Sequence, residues 1–311
     1  MSNIMSTSTA RRVGPAAAGK ACGVNQTATF QRTNGTFVAQ VHGLELSAGI
    51  DKDMVEILDQ ALATHGVLFF RNQQGLNDDS QQAMIQQFGP PVVTALKEIA
   101  SDHPHFYDIG NVDPEGKPIA EDSARGMYMR ANELWHTDGS QNQPPIRLTA
   151  LHARVLPPVP PPTEYADMRA AWDALPPSRQ RELEGLVVEH SIYWSREKMG
   201  MSLNSFSAET LAERKPVLHP LVRTHPRTGN KSLYLASHAS HVIGWPIEKG
   251  RALVEELTAH ATQPQYVYSH QWQVGDLVMW DDTWTMHRAT PYNEAHPRKL
   301  RWCAVREINP V

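Results

Sequence analysis

Leu134-Trp135-His136-Thr137-Asp138, answered by Met286-His287 with its histidine 151 residues after His136, is the pairing on which the reading of this chain turns. His-x-Asp and a distant His supply two imidazoles and one carboxylate. That is the donor set of the 2-His-1-carboxylate facial triad, which holds non-haem Fe(II) and leaves neighbouring coordination positions open. Side chains alternate along a strand, so His136 and Asp138 are expected on one face, with His287 arriving from a later strand. The triplet alone is weak evidence in a chain of 311 residues with 15 His; its surroundings decide.

Ile146–Val155 reads as a strand just after the triplet. Ahead of it, 101–132 carries Pro, Gly, Asp and Ser with little period, and reads as a long loop, a lid-like insertion over the site. Earlier still, a loose strand runs from Phe37 to Leu46. Met54, Leu58 and Leu62 recur at helical spacing up to Gly66, and Val67–Phe70 is a short apolar run suited to a buried strand. Met84, Ile85 and Phe88 mark a second helix. Beyond the Pro-rich Leu156–Pro162, Met168, Ala171, Trp172 and Leu175 follow Asp167 as N-cap, and another helix runs from Ser178 to Leu186. Leu253, Val254 and Leu257 mark a late helix, followed by strands near Tyr266–His270, Leu277–Trp280 and Lys299–Arg306. Strands and helices are not regularly interleaved, which disfavours a doubly wound sheet. The pattern points to a mainly β fold with flanking helices, a sandwich or jelly roll with its metal in the mouth between two sheets.

The bounds are those of an ordinary globular chain, with 41% hydrophobic and 20% charged residues. A net charge of −4 and the lack of a basic run speak against nucleic acid. No apolar stretch is long enough to span a membrane. Two cysteines, Cys22 and Cys303, make no disulfide framework and fit a cytoplasmic location. Residues 1–27 read as a disordered N-terminal tail.

Open iron positions suit a 2-oxo acid chelating through its carboxylate and keto oxygen, and its far carboxylate calls for an arginine fork. Arg298 stands 11 residues after His287, on the next expected strand. The chain resembles the taurine/2,4-dichlorophenoxyacetate dioxygenase family of Fe(II)- and 2-oxoglutarate-dependent enzymes, from about Val41 to Val305, and most nearly the aryloxyalkanoate branch. The resemblance is carried by Gly66–Gln73, Leu134–Asp138, Thr163–Ala171, His219–His225, His238–Val242, His260–Gln263, Val274–Asp281, Met286–Arg288 and Arg298.

The resemblance implies a double-stranded β-helix (jelly-roll) core and a single dioxygenase domain over 28–311. It implies His136, Asp138 and His287 as Fe(II) ligands, Thr163 and Arg298 as the 2-oxoglutarate-binding pair, and Asn132 at the substrate face. O2 is the second cosubstrate, a small organic acid the substrate, and a homo-oligomer the common assembly. Two positions depart from the family. Pro160-Pro161-Pro162 precede Thr163 where relatives have a glycine turn, so the approach must be polyproline-like. Trp302, four residues after Arg298, stands where relatives acting on sulfonates often carry a second arginine that meets the substrate anion, so Trp302 is expected to form an apolar wall of the substrate pocket. Arg301 cannot substitute, since neighbours on a strand face opposite ways.

The function expected is hydroxylation of an aryloxyalkanoate- or N-acyl-amino-acid-like acid, with release of succinate and CO2. Asp138 retains the carboxylate whose loss opens a chloride site in halogenating relatives. Alternatives are the same chemistry on a sulfonate or sulfate ester, a non-catalytic binding protein, and a zinc hydrolase, which would have no use for Arg298 with Thr163. His238-x-x-His241 is read as structural, not as a second metal site.

Overall fold

The computed structural model describes residues 26–33, 37–93, 103–113, 116–120, 123–201, 211, 214–293 and 295–308. The tail expected over 1–27 lies outside these up to residue 25. Gln26, by contrast, is buried: its side chain donates to the Gly49 carbonyl (3.2 Å) and accepts the Glu45 N–H (2.8 Å).

Strands β1 (Thr29–Arg32) and β2 (Val38–His42) pair antiparallel and lead into helix α1 (Lys52–His65). Helix α1 begins where Asp51 accepts the Met54 N–H (2.9 Å) and ends at Gly66, whose φ of 78° only glycine adopts without strain. Strand β3 (Val67–Phe70) follows, buried at all four residues, and helix α2 (Asp78–Ile85) starts on a reciprocal Asn77–Ser80 cap. The next stretch corrects the long-loop expectation for 101–132, because its described part holds strand β4 (Tyr107–Gly110) and helix α3 (Ala124–Ala131). The reason is tertiary: β4 is a four-residue edge strand defined only by its partner, and α3 is a short helix started by Ser123 accepting the Gly126 N–H.

Strand β5 (Ile146–Val155) is the longest, followed by β6 (Thr163–Asp167) and α4 (Met168–Asp173), which Asp167 caps through the Arg169 and Ala170 N–H groups. Then come α5 (Pro177–Leu183), β7 (Val187–His190), α6 (Ile192–Glu197), β8 (Val217–Pro220), β9 (Val222–Thr224) and β10 (Lys231–Leu233). The chain continues through β11 (Ala239–Val242), α7 (Ile247–Ala261), β12 (Val267–His270), β13 (Leu277–Asp281), β14 (Thr285–Ala289) and β15 (Lys299–Arg306).

A seven-stranded sheet runs β1-β2-β3-β13-β5-β15-β4, antiparallel except for β2 with β3. Smaller sheets are β12-β6-β14, β11-β7-β8 and β10-β9. The architecture is mixed α/β with more strand than helix and several sheets, a coarser description than the mainly β expectation. Alternation sorts the large sheet's side chains into two cores. Leu277, Met279, Cys303 and Val305 pack on Met54, Leu58 and Leu62 of α1 and on Met84 and Ile85 of α2. Val278, Trp280, Leu300, Trp302 and Ala304 point the other way, toward Tyr165 of β6 and Trp272. With both faces covered, these strands read as apolar runs and not as alternating patterns. A third core joins β6, β14 and β11 to α4 and α7. Among the described residues no helix is long and apolar enough to cross a membrane.

Two consequences can be measured. Burial holds the imidazoles of His65, His152 and His219 down to about 4, helped by Arg32, Arg154 and Arg223 respectively. Unfolded, each titrates near its ordinary 6.5, so between those values the unfolded chain binds more protons than the folded one. Stability should therefore be full above about pH 6.5 and fall as the pH drops toward 4; an unfolding temperature that stays level from pH 7.5 to 4.5 would contradict this. The second concerns Gly110 of β4, where a Cβ would stand 1.8 Å from the Arg298 carbonyl oxygen. Gly110→Ala must push apart β4 and the start of β15, at a cost of about 1–3 kcal/mol measured by urea unfolding.

Candidate metal centre and active site

His136 and His287 face each other across a single antiparallel bridge. The His136 N–H donates to the His287 carbonyl (3.0 Å), and the His287 N–H returns to the His136 carbonyl (2.8 Å). The expectation of a full strand through His-x-Asp is corrected here, since only His136 pairs and Asp138 already lies in a turn. Gly139 makes that turn, at a φ of 64°, and a Cβ there would meet Ile146 Cγ1 at 2.5 Å. Local alternation survives nonetheless. His136 and Asp138 both line the cavity, while the Thr137 hydroxyl donates to the Leu235 carbonyl (2.8 Å) on the opposite side.

Ligand atoms of His136, Asp138 and His287 all lie within 4.8 Å of one another, the one such His/Cys/Asp/Glu group among the described residues. Asp138 Oδ1 stands 3.6 Å from His136 Nε2 and 4.0 Å from His287 Nε2. His136 Nδ1 lies 2.7 Å from the Leu134 carbonyl, an arrangement that puts the ring proton there and turns the Nε2 lone pair toward Asp138. His287 is wedged between Trp280 and Tyr165, with ring centroids 4.6 and 6.0 Å away. Burial, with His136 adding, lowers its affinity for a proton well below the ordinary value and keeps the imidazole neutral, as a ligand requires. Two nitrogens and one oxygen in this triangle suit a divalent transition metal.

Asp282, fully buried, holds the third ligand from behind. Its Oδ1 accepts the Asp138 backbone N–H (3.0 Å) and the Trp280 indole N–H (3.0 Å), and its Oδ2 accepts the Thr149 hydroxyl (2.6 Å). Burial first, then the charge of Asp138, raises its proton affinity well above that of an ordinary carboxyl.

Thr163 and Arg298 line the same inner cavity as the triad. The Trp272 indole donates to Thr163 Oγ1 (2.9 Å), which leaves the hydroxyl proton available to a ligand in the cavity. Thr163 opens β6 directly after the proline run, so the Pro160–Pro162 approach does not displace it from the site. Arg298 is 3% exposed, its backbone N–H is held by Asn111 Oδ1 (2.8 Å), and its Nε is buried without a hydrogen-bond partner. Burial brings its pKa down to about 10, still cationic at neutral pH. A buried guanidinium that keeps its charge and has an unpartnered Nε–H fits the carboxylate of a bound anion. Asn132 also lines this cavity, with its Nδ2 unpartnered.

A larger cavity of about 510 Å³ opens from His136, Asp138, Asn132, Tyr107 and Trp302. Trp302 stands at the junction, stacked on Tyr107 (4.3 Å), and its indole N–H donates to Asp138 Oδ2 (3.0 Å). Arg196, Arg214, Lys215 and Arg306 bring four cations to the larger cavity, and Asp138 is the one acid among its described lining residues. Arg301 faces away from both cavities and pairs with Asp108 (3.1 Å) and Asp78. His238 and His241 go to separate partners, Ser195 Oγ (2.9 Å) and Ser240 Oγ (2.8 Å). Yet His238 lines the outer cavity, a position that its reading as purely structural missed. Asp282, Trp272 and Asn111 were missed too. Asp282 abuts the Val274–Asp281 segment and could have been noticed, but nothing in the sequence ties Asn111 to Arg298, 187 residues away.

Residues 29–304 match the family described as taurine catabolism dioxygenase TauD, TfdA family. The chain is similar to the alpha-ketoglutarate-dependent 2,4-dichlorophenoxyacetate dioxygenase of Cupriavidus pinatubonensis, 40% identical over 269 residues, 85% of this chain and 93% of the relative. It is 32% identical over 273 residues to the (S)-phenoxypropionate/alpha-ketoglutarate-dioxygenase of Sphingobium herbicidovorans, covering 86% of this chain and 90% of the relative. Among solved structures, AAD-2 in complex with Mn(II) and N-oxalylglycine superposes with a TM-score of 0.84 at 38% identity, over 91% of this chain and 98% of that one. With the family matched over nearly all of the folded chain, and the His-Asp-His group assembled beside Arg298, the protein belongs to the TauD/TfdA family and is an alpha-ketoglutarate-dependent dioxygenase family enzyme.

Proposed function

We propose that this enzyme uses Fe(II) at His136, Asp138 and His287 and 2-oxoglutarate at Arg298 and Thr163 to hydroxylate a small aryloxyalkanoate-type acid. The observation that carries the reading is the sharing of one inner cavity by the triad, Arg298 and Thr163, contiguous with a larger cationic one. Similarity to the 2,4-dichlorophenoxyacetate and (S)-phenoxypropionate enzymes supports this substrate class. We read the large sheet facing β12-β6-β14 as a double-stranded β-helix, a jelly roll with the metal in its mouth. The described part of 101–132 forms its cover, because β4 brings Ile109 and the end of α3 brings Asn132 to the cavities.

When bound, the metal supplies O2 activation coupled to decarboxylation of oxoglutarate: one oxygen atom enters succinate, released with CO2, and the other becomes the substrate's new hydroxyl. The protein's own residues supply geometry and exclusion of water. Arg298 and Thr163 anchor the far carboxylate of oxoglutarate and so set the orientation of its chelating end. Tyr107, Ile146 and Trp302 offer an apolar bed for an aromatic ring, while Arg196, Arg214 and Lys215 give the substrate carboxylate a cationic wall. Hydroxylation at an ether carbon yields a hemiacetal, which collapses and cleaves the ether.

Succinate release from oxoglutarate, screened over organic acids with Fe(II), tests the proposal. Aryloxyalkanoates should stimulate release, and His136→Ala should abolish it with the fold retained. The kcat/KM ratio should favour an aryloxy acid over taurine, whose compact anion finds no apolar body to place on Trp302; a ratio favouring taurine would overturn the substrate assignment. Arg298→Ala removes one partner of a buried charge pair, at a cost of about 2–5 kcal/mol in oxoglutarate binding. The KM for oxoglutarate should rise far more than that for the organic acid, and an unchanged value would mean that Arg298 serves something else.

A further inference from the structure

We infer that Trp302 is a positioning residue of the metal centre: its indole N–H holds one oxygen of Asp138, leaving the other to the ion. The inference rests on the metal-centre reading above. Trp302 is 4% exposed, and its Nε1 lies 3.0 Å from Asp138 Oδ2. The other oxygen, Oδ1, is the one facing the two imidazole Nε2 atoms, at 3.6 and 4.0 Å. The carboxylate is thus divided between two tasks. Its backbone is held independently, through the Asp138 N–H on Asp282 Oδ1 (3.0 Å), so the indole governs the side-chain torsion and not the path of the chain.

The geometry of Trp302 itself is over-determined. In the sheet it pairs with Leu151 of β5 and Tyr107 of β4, and its ring stacks on Tyr107 at an interplanar angle of 26°. An indole is a donor only and carries no charge. It can hold a carboxylate oxygen without adding a cation that would repel the metal and weaken the carboxylate as a ligand. Asp138 held to one ligating oxygen occupies a single coordination position, and the neighbouring ones stay open to cosubstrates. The same bond has a consequence for specificity: the only polar atom of Trp302 is engaged by Asp138, so at this wall the side chain offers a substrate its ring face alone.

The test is calorimetric titration of the metal-free, full-length protein with Mn(II). Trp302→Phe keeps an aromatic ring on Tyr107 and deletes the donor; Trp302→Met fills the slot with a flexible apolar chain and serves should the Phe variant not fold. The Mn(II) dissociation constant should rise at least about tenfold in each variant that retains near-UV circular dichroism, the usual scale for losing a group that orients a ligand. Tyr107→Leu, which removes the stacking ring and keeps the indole N–H, should stay within about threefold of wild type by the same scale. A folded Trp302→Phe or Trp302→Met protein with wild-type Mn(II) affinity overturns the inference. So does an equal loss in Tyr107→Leu, which would assign the effect to packing. A wild-type protein that fails to bind Mn(II) at all overturns the metal-centre reading, and this inference with it.

Discussion

Two backbone hydrogen bonds, exchanged between His136 and His287, bring the two halves of the site together across 151 residues of chain. Neither residue need belong to a long strand pair for this to work. One antiparallel bridge fixes both Cα positions, and the two rings end with centroids 4.1 Å apart. The bridge is held in turn by its surroundings. The Asn132 carbonyl accepts the Ala289 N–H (2.8 Å), Thr137 donates to Leu235, and Asp282 receives the Asp138 N–H. Backbone hydrogen bonds resist distortion better than mobile side chains do, so the ligand triangle is set before any ion arrives.

The inner cavity stores unsatisfied polarity. Arg298 Nε and Asn132 Nδ2 are buried with no hydrogen-bond partner. A buried polar group without a partner costs roughly 1–3 kcal/mol, and one that lines a cavity can be met there by a ligand. Elsewhere buried charges meet a partner even where some donors are left over: Arg223 Nη2 makes two 2.8 Å bonds to Glu307 while its Nε and Nη1 have no partner, and Asp281 is met by His225 and Thr283. The difference lies in the counter-charge: Arg223 is paired with Glu307, whereas no carboxylate among the described residues pairs with Arg298.

Charge is also divided in space. The acids near the metal are Asp138, which points at the imidazoles, and Asp282, which points at backbone and indole donors. The cations stand farther out, around the larger cavity, or singly at Arg298 in the inner one. On the proposed function, an entering carboxylate would find its positive charge at the larger cavity's cations, which attract it toward the site.

Several features were legible from residues alone. Gly66 ends α1 because a positive φ is needed there, and β3, β5 and β15 stand where the sequence placed strands. His136, Asp138, His287 and Arg298 were readable because their chemistry depends on side-chain type and spacing, both of which survive in one dimension. Other features could not be read. Strand β4 has no pattern of its own and exists through β15, and α3 is short; the opposite facing of Trp302 and Arg301, by contrast, followed from alternation along β15. The indole bond from Trp302 to Asp138 lies beyond any sequence pattern, since it joins residues 164 positions apart at one angle of one ring. Periodicity and residue chemistry act locally and are written in the sequence; hydrogen bonds between distant side chains depend on where packing leaves each atom, and only the folded chain decides that.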